Sequence, residues 1–208
     1  MKNHNGIEIP GPAKERLLYL LKLLEKGGAV TLTSTHIESL TGWSRDSIRK
    51  DISYLAADLG SASGYDRAAL ESAIKKGLHL DRKRNICIVG LGRLGSAYLN
   101  FSAFQHSDFE LTAGFDANVN RIEILSSPVP LYPTYKMAEI IGRFAIEISL
   151  LCVPEDQAQS VAEKLIAAGI RGIVNFAPVV LKAPPEIAVR EVYVVDELRA
   201  LSIRITHT

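Results

Sequence analysis

The stretch Asn85-Ile86-Cys87-Ile88-Val89-Gly90-Leu91-Gly92-Arg93-Leu94-Gly95 decides the fold. An apolar run of strand length enters a turn with glycines at 90, 92 and 95, and a helix-like stretch follows. Gly90 and Gly92 permit a tight turn and a close backbone approach to a pyrophosphate, while Gly95 lets the helix pack on the strand. The N–H groups where the helix opens, around Arg93 and Leu94, favour anionic phosphates. The next apolar run, Phe109 to Phe115, ends in Asp116, 21 positions after Gly95. An acid at that spacing bonds the ribose hydroxyls. Glycines alone are a weak signal; with strand, helix and acid in order they predict a dinucleotide site. A carboxylate at 116 repels a 2′-phosphate, which favours NAD(H) over NADP(H), and Arg121 is the nearby cation that would favour the latter. The alternative is a fold of this type that has lost its ligand or holds another nucleotide, such as coenzyme A.

Downstream, apolar runs alternate with helical patterns. Strands are expected at 85–90, 109–116, 146–153 and 172–176, and helices at 93–105, 134–143 and 155–168. Such alternation predicts an α/β, Rossmann-type parallel sheet with crossover helices over residues 85–192. Val153-Pro154 and Asn175-Phe176 end the third and fourth of these strands. Open α/β sheets bind ligands at strand carboxyl ends, so these four residues are candidates for the nicotinamide half. Plain turn chemistry of Pro and Asn explains them equally well.

Upstream, residues 1–84 carry 14 Lys+Arg against 10 Asp+Glu, and the remainder 10 against 13. The leucines at 17, 18, 20, 21, 23 and 24 make Arg16–Lys26 a helix apolar around most of its girth, expected to be buried on more than one side. Gly27-Gly28 stops it. A second helix is expected over Thr35–Thr41, with Thr35 and Glu38 as a capping box. Gly42-Trp43 turns the chain, and Ser44 caps a third helix running to about Ala57. Ile48, Ile52 and Leu55 share one face of it. Arg45, Arg49 and Ser53 form the neighbouring stripe, with Lys50 further round and Ser47 in the first turn. Two short helices around a glycine turn, the second with a basic outer face, form a helix-turn-helix pattern. Arginine can bond guanine bidentately and Lys or Arg can hold phosphates, so Arg45, Ser47, Arg49, Lys50 and Ser53 are candidate contacts to double-stranded DNA. Gly60–Tyr65 reads as a wing-like loop, Arg67–Gly77 as a fourth helix, and Asp81–Arg84 as a solvated boundary between domains.

Several classes are excluded. With 47% hydrophobic and 23% charged residues the chain folds around a core. Cys87 and Cys152 lie in apolar runs and lack a Cys-x-x-Cys spacing; buried reduced thiols in a cytoplasmic protein are expected, and a redox-sensing pair is the sharper alternative. No run reaches the roughly 20 residues of a membrane helix, and no signal-peptide core is present. The histidines (4, 36, 79, 106 and 207) show no metal spacing, and no nucleophile motif occurs. A dehydrogenase needs an acid/base beside its nicotinamide, and none is evident; catalytic and metal sites are therefore expected to be absent. Asp196–Arg204 is a late helix with Leu198, Leu201 and Ile205 at helical spacing, which suits packing on a second subunit over residues 193–208.

The combination resembles the Rex family of redox-sensing transcriptional repressors. The resemblance is carried by Ile48-Arg49-Lys50-Asp51-Ile52-Ser53-Tyr54, Gly64-Tyr65, Cys87 to Ala97, Val153-Pro154, Ala168 to Pro178 and the ending Glu197-Leu198 to Leu201-Ser202, in the family's order along nearly the whole chain. It implies an N-terminal winged helix over residues 1–84, a Rossmann domain behind it, and a C-terminal helix swapped within a homodimer. It implies repression at low NADH relative to NAD⁺ and release from an inverted-repeat operator when NADH binds. By match, Arg49 and Lys50 contact DNA, and Gly90, Gly92, Arg93, Leu94, Gly95 and Asp116 contact the dinucleotide. Two departures stand out. The family's wing carries a basic residue, whereas Leu55 to Ala62 has none and adds Asp58. A polar set that links domains in many members, made of a basic residue, a Tyr and an Asp, falls here on Lys22, Phe101 and Tyr193. Two readings of other classes remain beside this one: a small NAD-dependent oxidoreductase, and a nucleotide-dependent module that binds protein instead of DNA.

Overall fold

A computed structural model describes residues 8–55, 59 and 64–205, and the chain divides into two compact units between Arg82 and Lys83. In the first unit, α1 (Gly11–Glu25) begins five residues before the expected start at Arg16. Pro12 explains the early start, because a proline in the first turn lacks only an N–H that the helix would leave unpaired. Ala13, Leu17, Leu20, Leu21 and Leu24 are buried. They form one stripe at helical spacing, and Leu18 stays 54% exposed. The expectation of burial on several sides is thus corrected within this chain: a small core has room for one helix face, and the other leucines lie outside it.

A two-residue strand, β1 (Thr31–Leu32), leads into α2 (Ser34–Thr41). Its cap is Thr33 and not Thr35: the Thr33 hydroxyl accepts the His36 N–H at 3.1 Å from an extended backbone that Thr35, inside the helix, does not have. Gly42, at φ 73°, closes the helix. Ser44 caps α3 (Arg45–Ser53) as expected, accepting the Ser47 N–H. The helix ends at Ser53 and not near Ala57. Ser53 donates its hydroxyl to the Lys50 carbonyl at 2.7 Å, and Leu55 closes a tighter turn onto Ile52. Side chain to backbone bonds of this kind compete with the helical ladder. Most of the wing-like loop and Asp58 lie outside the described residues. Its returning end, β2 (Tyr65–Asp66), pairs antiparallel with β1. Asp66 then caps α4 (Arg67–Gly77). One core joins the helices through Leu17, Leu21, Ile37, Ile48, Ile52, Leu70 and Ile74.

The second unit is a six-stranded parallel sheet. Its strands are β3 (Arg84–Val89), β4 (Phe109–Asp116), β5 (Leu131–Pro133), β6 (Ile148–Leu151), β7 (Gly172–Asn175) and β8 (Ala188–Glu191), in the order β5-β4-β3-β6-β7-β8. This is the doubly wound order in which the connections leave β3 toward opposite halves of the sheet. Arg84, expected in a solvated boundary, is the first residue of β3 and pairs with Glu147 at 2.7 Å. The middle of the sheet is buried on both faces, as parallel sheets are. Along β3, Cys87 and Val89 face one core with α7 (Met137–Arg143) and α8 (Glu155–Ala167), and Ile86 and Ile88 face another with α5 (Arg93–Leu99).

Three expected spans shorten. The helix at 93–105 stops at Leu99, where Asn100 and an extended Phe101 (ψ 103°) break it, and a 3-10 turn over Ser102–His106 follows. The helix at 134–143 opens as a 3-10 turn, Thr134–Lys136, behind Pro133. The strand at 146–153 is reduced to β6, though the Cys152 N–H still reaches the Val89 carbonyl at 2.8 Å. In this unit the elements that the sequence did not announce are β5, β8 and α6 (Val119–Ile124). The last described element is α9 (Val194–Ile205), none of whose residues is buried; Leu198, Leu201 and Ile205 are 54–67% exposed.

Candidate functional site

Gly90 lies where the chain leaves β3 between its two neighbours. Its φ is 89°, and a Cβ there would come within 2.7 Å of the Cys152 carbonyl oxygen and 2.8 Å of Val153 Cγ1. Only glycine fits a left-handed turn this close to another backbone. A Cβ on Gly95 would overlap the Gly90 carbonyl oxygen and lie 3.3 Å from Ile88 Cγ2. The third glycine of the fingerprint is therefore what lets α5 sit against the loop. At Gly92 a Cβ would meet nothing within 4 Å, so this backbone faces open space.

Asp116, at the end of β4, is 4% exposed. Its Oδ2 accepts the Leu91 N–H at 2.7 Å and an Arg121 guanidinium N–H at 2.8 Å; its Oδ1 accepts the Asn118 N–H at 2.7 Å. The carboxylate thus ties the glycine loop to the end of the neighbouring strand. An ionised carboxylate offers about four acceptor positions, so an acceptor position remains for a ribose hydroxyl. Arg121, whose side chain is 42% exposed, can swing away and vacate a second.

These residues border a cleft of about 1000 Å³ at the carboxyl ends of the strands. Gly90, Gly92, Asp116, Val153 and Pro154 line it, all of them expected from sequence. Arg93, Leu94 and Gly95 form the first turn of α5 and are not among its lining residues. Asn175 and Phe176 are not brought to the cleft either. Asn175 is fully buried; its amide donates to the carbonyls of Ala177 and Val179 and to Glu191, and its carbonyl accepts the Ala177 N–H. Phe176 packs on Tyr98, with ring centroids 5.2 Å apart. Residues missed from sequence also line the cleft: Tyr135 from the 3-10 turn, and Gln157, Ser160 and Lys164 from α8.

Burial pushes the Cys87 and Cys152 thiols up from 9.0 to about 12. Cys87 packs in the core on one face of the sheet and Cys152 against the core on the other. Thiols that stay protonated and face apart do not form a redox pair. Among the described residues no cluster of His, Cys, Asp and Glu could hold a metal ion, and no helix is long and apolar enough to cross a membrane.

In the first unit, α3 presents Arg45, Arg49, Lys50 and Ser53 to solvent, while Ser47 is half-buried and shares a 2.9 Å hydroxyl contact with the cap Ser44. Arg45 reaches Glu38 at 3.4 Å and Arg49 reaches Asp46 at 3.8 Å, and both arginine side chains are more than half exposed. Such pairs are worth at most about 1 kcal/mol and yield readily to a phosphate. Asp51 points the other way: it is 4% exposed and accepts two bonds from Arg16 of α1, at 2.6 and 2.8 Å. This carboxylate raises the Arg16 pKa through the hydrogen bond and its charge, against the cost of partial burial. The Arg49-Lys50-Asp51 triplet thus splits into two outward cations and one inward anion that clamps the helix to its neighbour.

A helix-turn-helix with a cationic outer face, joined in one chain to a Rossmann-type sheet with a complete dinucleotide fingerprint, defines the class of two-unit regulators that pair a nucleotide domain with a DNA-reading one. A CoA binding domain model matches residues 81–179. The chain is 32% identical to the redox-sensing transcriptional repressor Rex of Levilactobacillus brevis, covering 96% of each chain. It is 36% identical to Rex of Thermus thermophilus, covering 96% of this chain and 95% of that one. Among solved structures it is similar to RSP, a Rex-family repressor, at 29% identity. The TM-score is 0.87 to RSP with β-NAD⁺ and operator DNA, covering 97% and 94% of the two chains, and 0.83 to RSP with β-NADH, covering 97% and 96%. The chain belongs to the Rex family of redox-sensing transcriptional repressors.

Proposed function

We propose that the protein is a cytoplasmic, homodimeric repressor that senses NADH against NAD⁺ and works without catalysis. The observation that carries this reading is the coexistence of two surfaces: the cleft closed by Gly90, Gly92 and Asp116, and the solvent-facing Arg45, Arg49 and Lys50 of α3. The relatives carry the name of redox-sensing repressors, and RSP is described with operator DNA and with each oxidation state of the dinucleotide. In a dimer the two α3 helices enter successive major grooves about one helical turn apart, on an inverted repeat. The exposed Leu198, Leu201 and Ile205 of α9 supply the apolar face that a second subunit covers.

For NADH to release DNA it must bind the DNA-incompetent arrangement better than the competent one. Moving the population from 1:99 to 99:1 takes about 10⁴-fold differential affinity. NADH, whose nicotinamide is uncharged, suits an apolar pocket better than NAD⁺ does. Coupling here uses packing instead of charge. Phe101, with its ring 5.3 Å from Phe104 and 5.7 Å from Tyr98, and Tyr193 fall, by the resemblance, where many members carry a hydroxyl and a carboxylate. The test is fluorescence anisotropy on a labelled A·T-rich inverted repeat at fixed salt. Release by NADH and not by NAD⁺ is the expected result; tight binding indifferent to both refutes the sensing, and absence of DNA binding refutes the repressor.

A further inference from the structure

We infer that Tyr135 is the stacking platform for the adenine ring of the bound dinucleotide, an inference that rests on the dinucleotide reading of the cleft. Tyr135 is 79% exposed, yet it lines the cleft that also contains Gly90, Gly92 and Asp116. A large aromatic ring left this open on one side has little packing role in its own domain.

Its place in the sheet fixes which half of the ligand it can meet. β4 pairs with β5 so that Asp116 lies opposite Pro133, and Tyr135 follows two residues later in the turn Thr134–Lys136. It therefore stands at the same sheet end as Asp116, on the far side of β4 from the glycine loop. A dinucleotide whose pyrophosphate rests on Gly90–Gly92 and whose ribose bonds Asp116 runs toward β5, and its base arrives where Tyr135 is. Every base has a π-face, and an aromatic side chain at that point needs no hydrogen bond to hold it. Pro133 and the short turn limit the freedom of the ring's backbone, so little order is lost on binding.

This contact serves both oxidation states alike, since the adenine is the same in each. Tyr135 therefore sets the affinity of the site for adenine dinucleotides as a class, and the discrimination between NADH and NAD⁺ arises elsewhere in the cleft.

The experiment titrates the full-length protein with NADH by ligand fluorescence, and with NAD⁺ and ADP-ribose by calorimetry, for the wild type, Tyr135→Ala and Tyr135→Phe. Tyr135→Ala is expected to weaken all three ligands by a common factor of about tenfold, or about 1.4 kcal/mol. Tyr135→Phe is expected to bind within about twofold of the wild type, because it keeps the ring face. An exposed residue can be replaced without unfolding the domain, and an unchanged thermal transition checks this. Undiminished binding by Tyr135→Ala overturns the inference while leaving the dinucleotide reading intact. Equal loss in Tyr135→Phe and Tyr135→Ala assigns the role to the hydroxyl and overturns stacking. A wild type that binds none of the three ligands removes the dinucleotide reading itself, and this inference with it.

Discussion

Replacing Arg16 with Met tests whether α3 is held by the inward carboxylate of its own Arg-Lys-Asp triplet. Arg16 gives two short charge-assisted bonds to Asp51, whose side chain is only 6% exposed. Removing one partner of a fully buried pair costs about 3–5 kcal/mol, chiefly because a charge is left unpaired. Arg16 itself is 34% exposed, so water reaches the abandoned carboxylate, and the expected loss falls to about 2 kcal/mol. For a unit of this size the urea dependence is about 1 kcal/mol per molar, so the midpoint should fall by about 2 M. The assay is built into the chain. Trp43, the single tryptophan, lies between α2 and α3 with its ring 5.5 Å from Tyr19 of α1, so its emission follows this unit alone. The double variant Arg16→Met/Asp51→Leu should recover most of the loss, since an apolar pair of similar size needs no counter-charge. A midpoint shift below about 0.5 M, or a double variant as unstable as the single changes combined, refutes the clamp.

Three further outcomes are expected. Gly95→Ala forces a methyl group into the Gly90 carbonyl, a backbone atom that cannot rotate away; it should cost about 1–3 kcal/mol and abolish NADH fluorescence enhancement, and an unchanged titration would contradict the packing role. Arg49→Ala/Lys50→Ala should weaken operator binding and lower the magnitude of its log–log salt slope by about 0.9 per lost phosphate contact; an unaltered slope would show that α3 does not face the backbone of DNA. The unfolded thiols ionise near 9.0 whereas the buried ones do so at about 12. Their folded pKa is raised, so the stability they contribute is complete below pH 9 and is lost as pH rises toward about 12. Chemical denaturation followed by circular dichroism should show this loss, reduced in Cys152→Ala relative to the wild type, and identical slopes would refute it.

How far the sequence could be read depended on what each residue had to satisfy. β3 and β4 were evident because the stretches buried on both faces, Ile86–Val89 and Ala113–Phe115, are apolar. β8 is an edge strand of Ala-Val-Arg-Glu with three exposed residues, and β5 has three residues ending in proline, so neither leaves a pattern. α6 buries no residue and shows no periodicity. The glycines and Asp116 were legible because each answers a local constraint at a fixed spacing. Tyr135 and Lys164 were not, because only the strand order brings their elements to one crevice. At Asn175 and Phe176 the sequence located the strand end but could not give the direction of the side chains, which turn inward to the loop and to Tyr98. In α1 the surplus of leucines hid which stripe is buried.

The lone indole also has an optical consequence. Tryptophan emission overlaps the absorption of reduced nicotinamide, and the oxidised ring does not absorb there. Trp43 belongs to the residues before the boundary at Arg82, and the cleft proposed to hold the nucleotide to the residues after it. The unlabelled protein thus carries an energy-transfer donor in one unit and receives its acceptor in the other. Quenching of Trp43 by NADH becomes an internal ruler, readable on free protein and on protein bound to operator, that responds only to the reduced ligand.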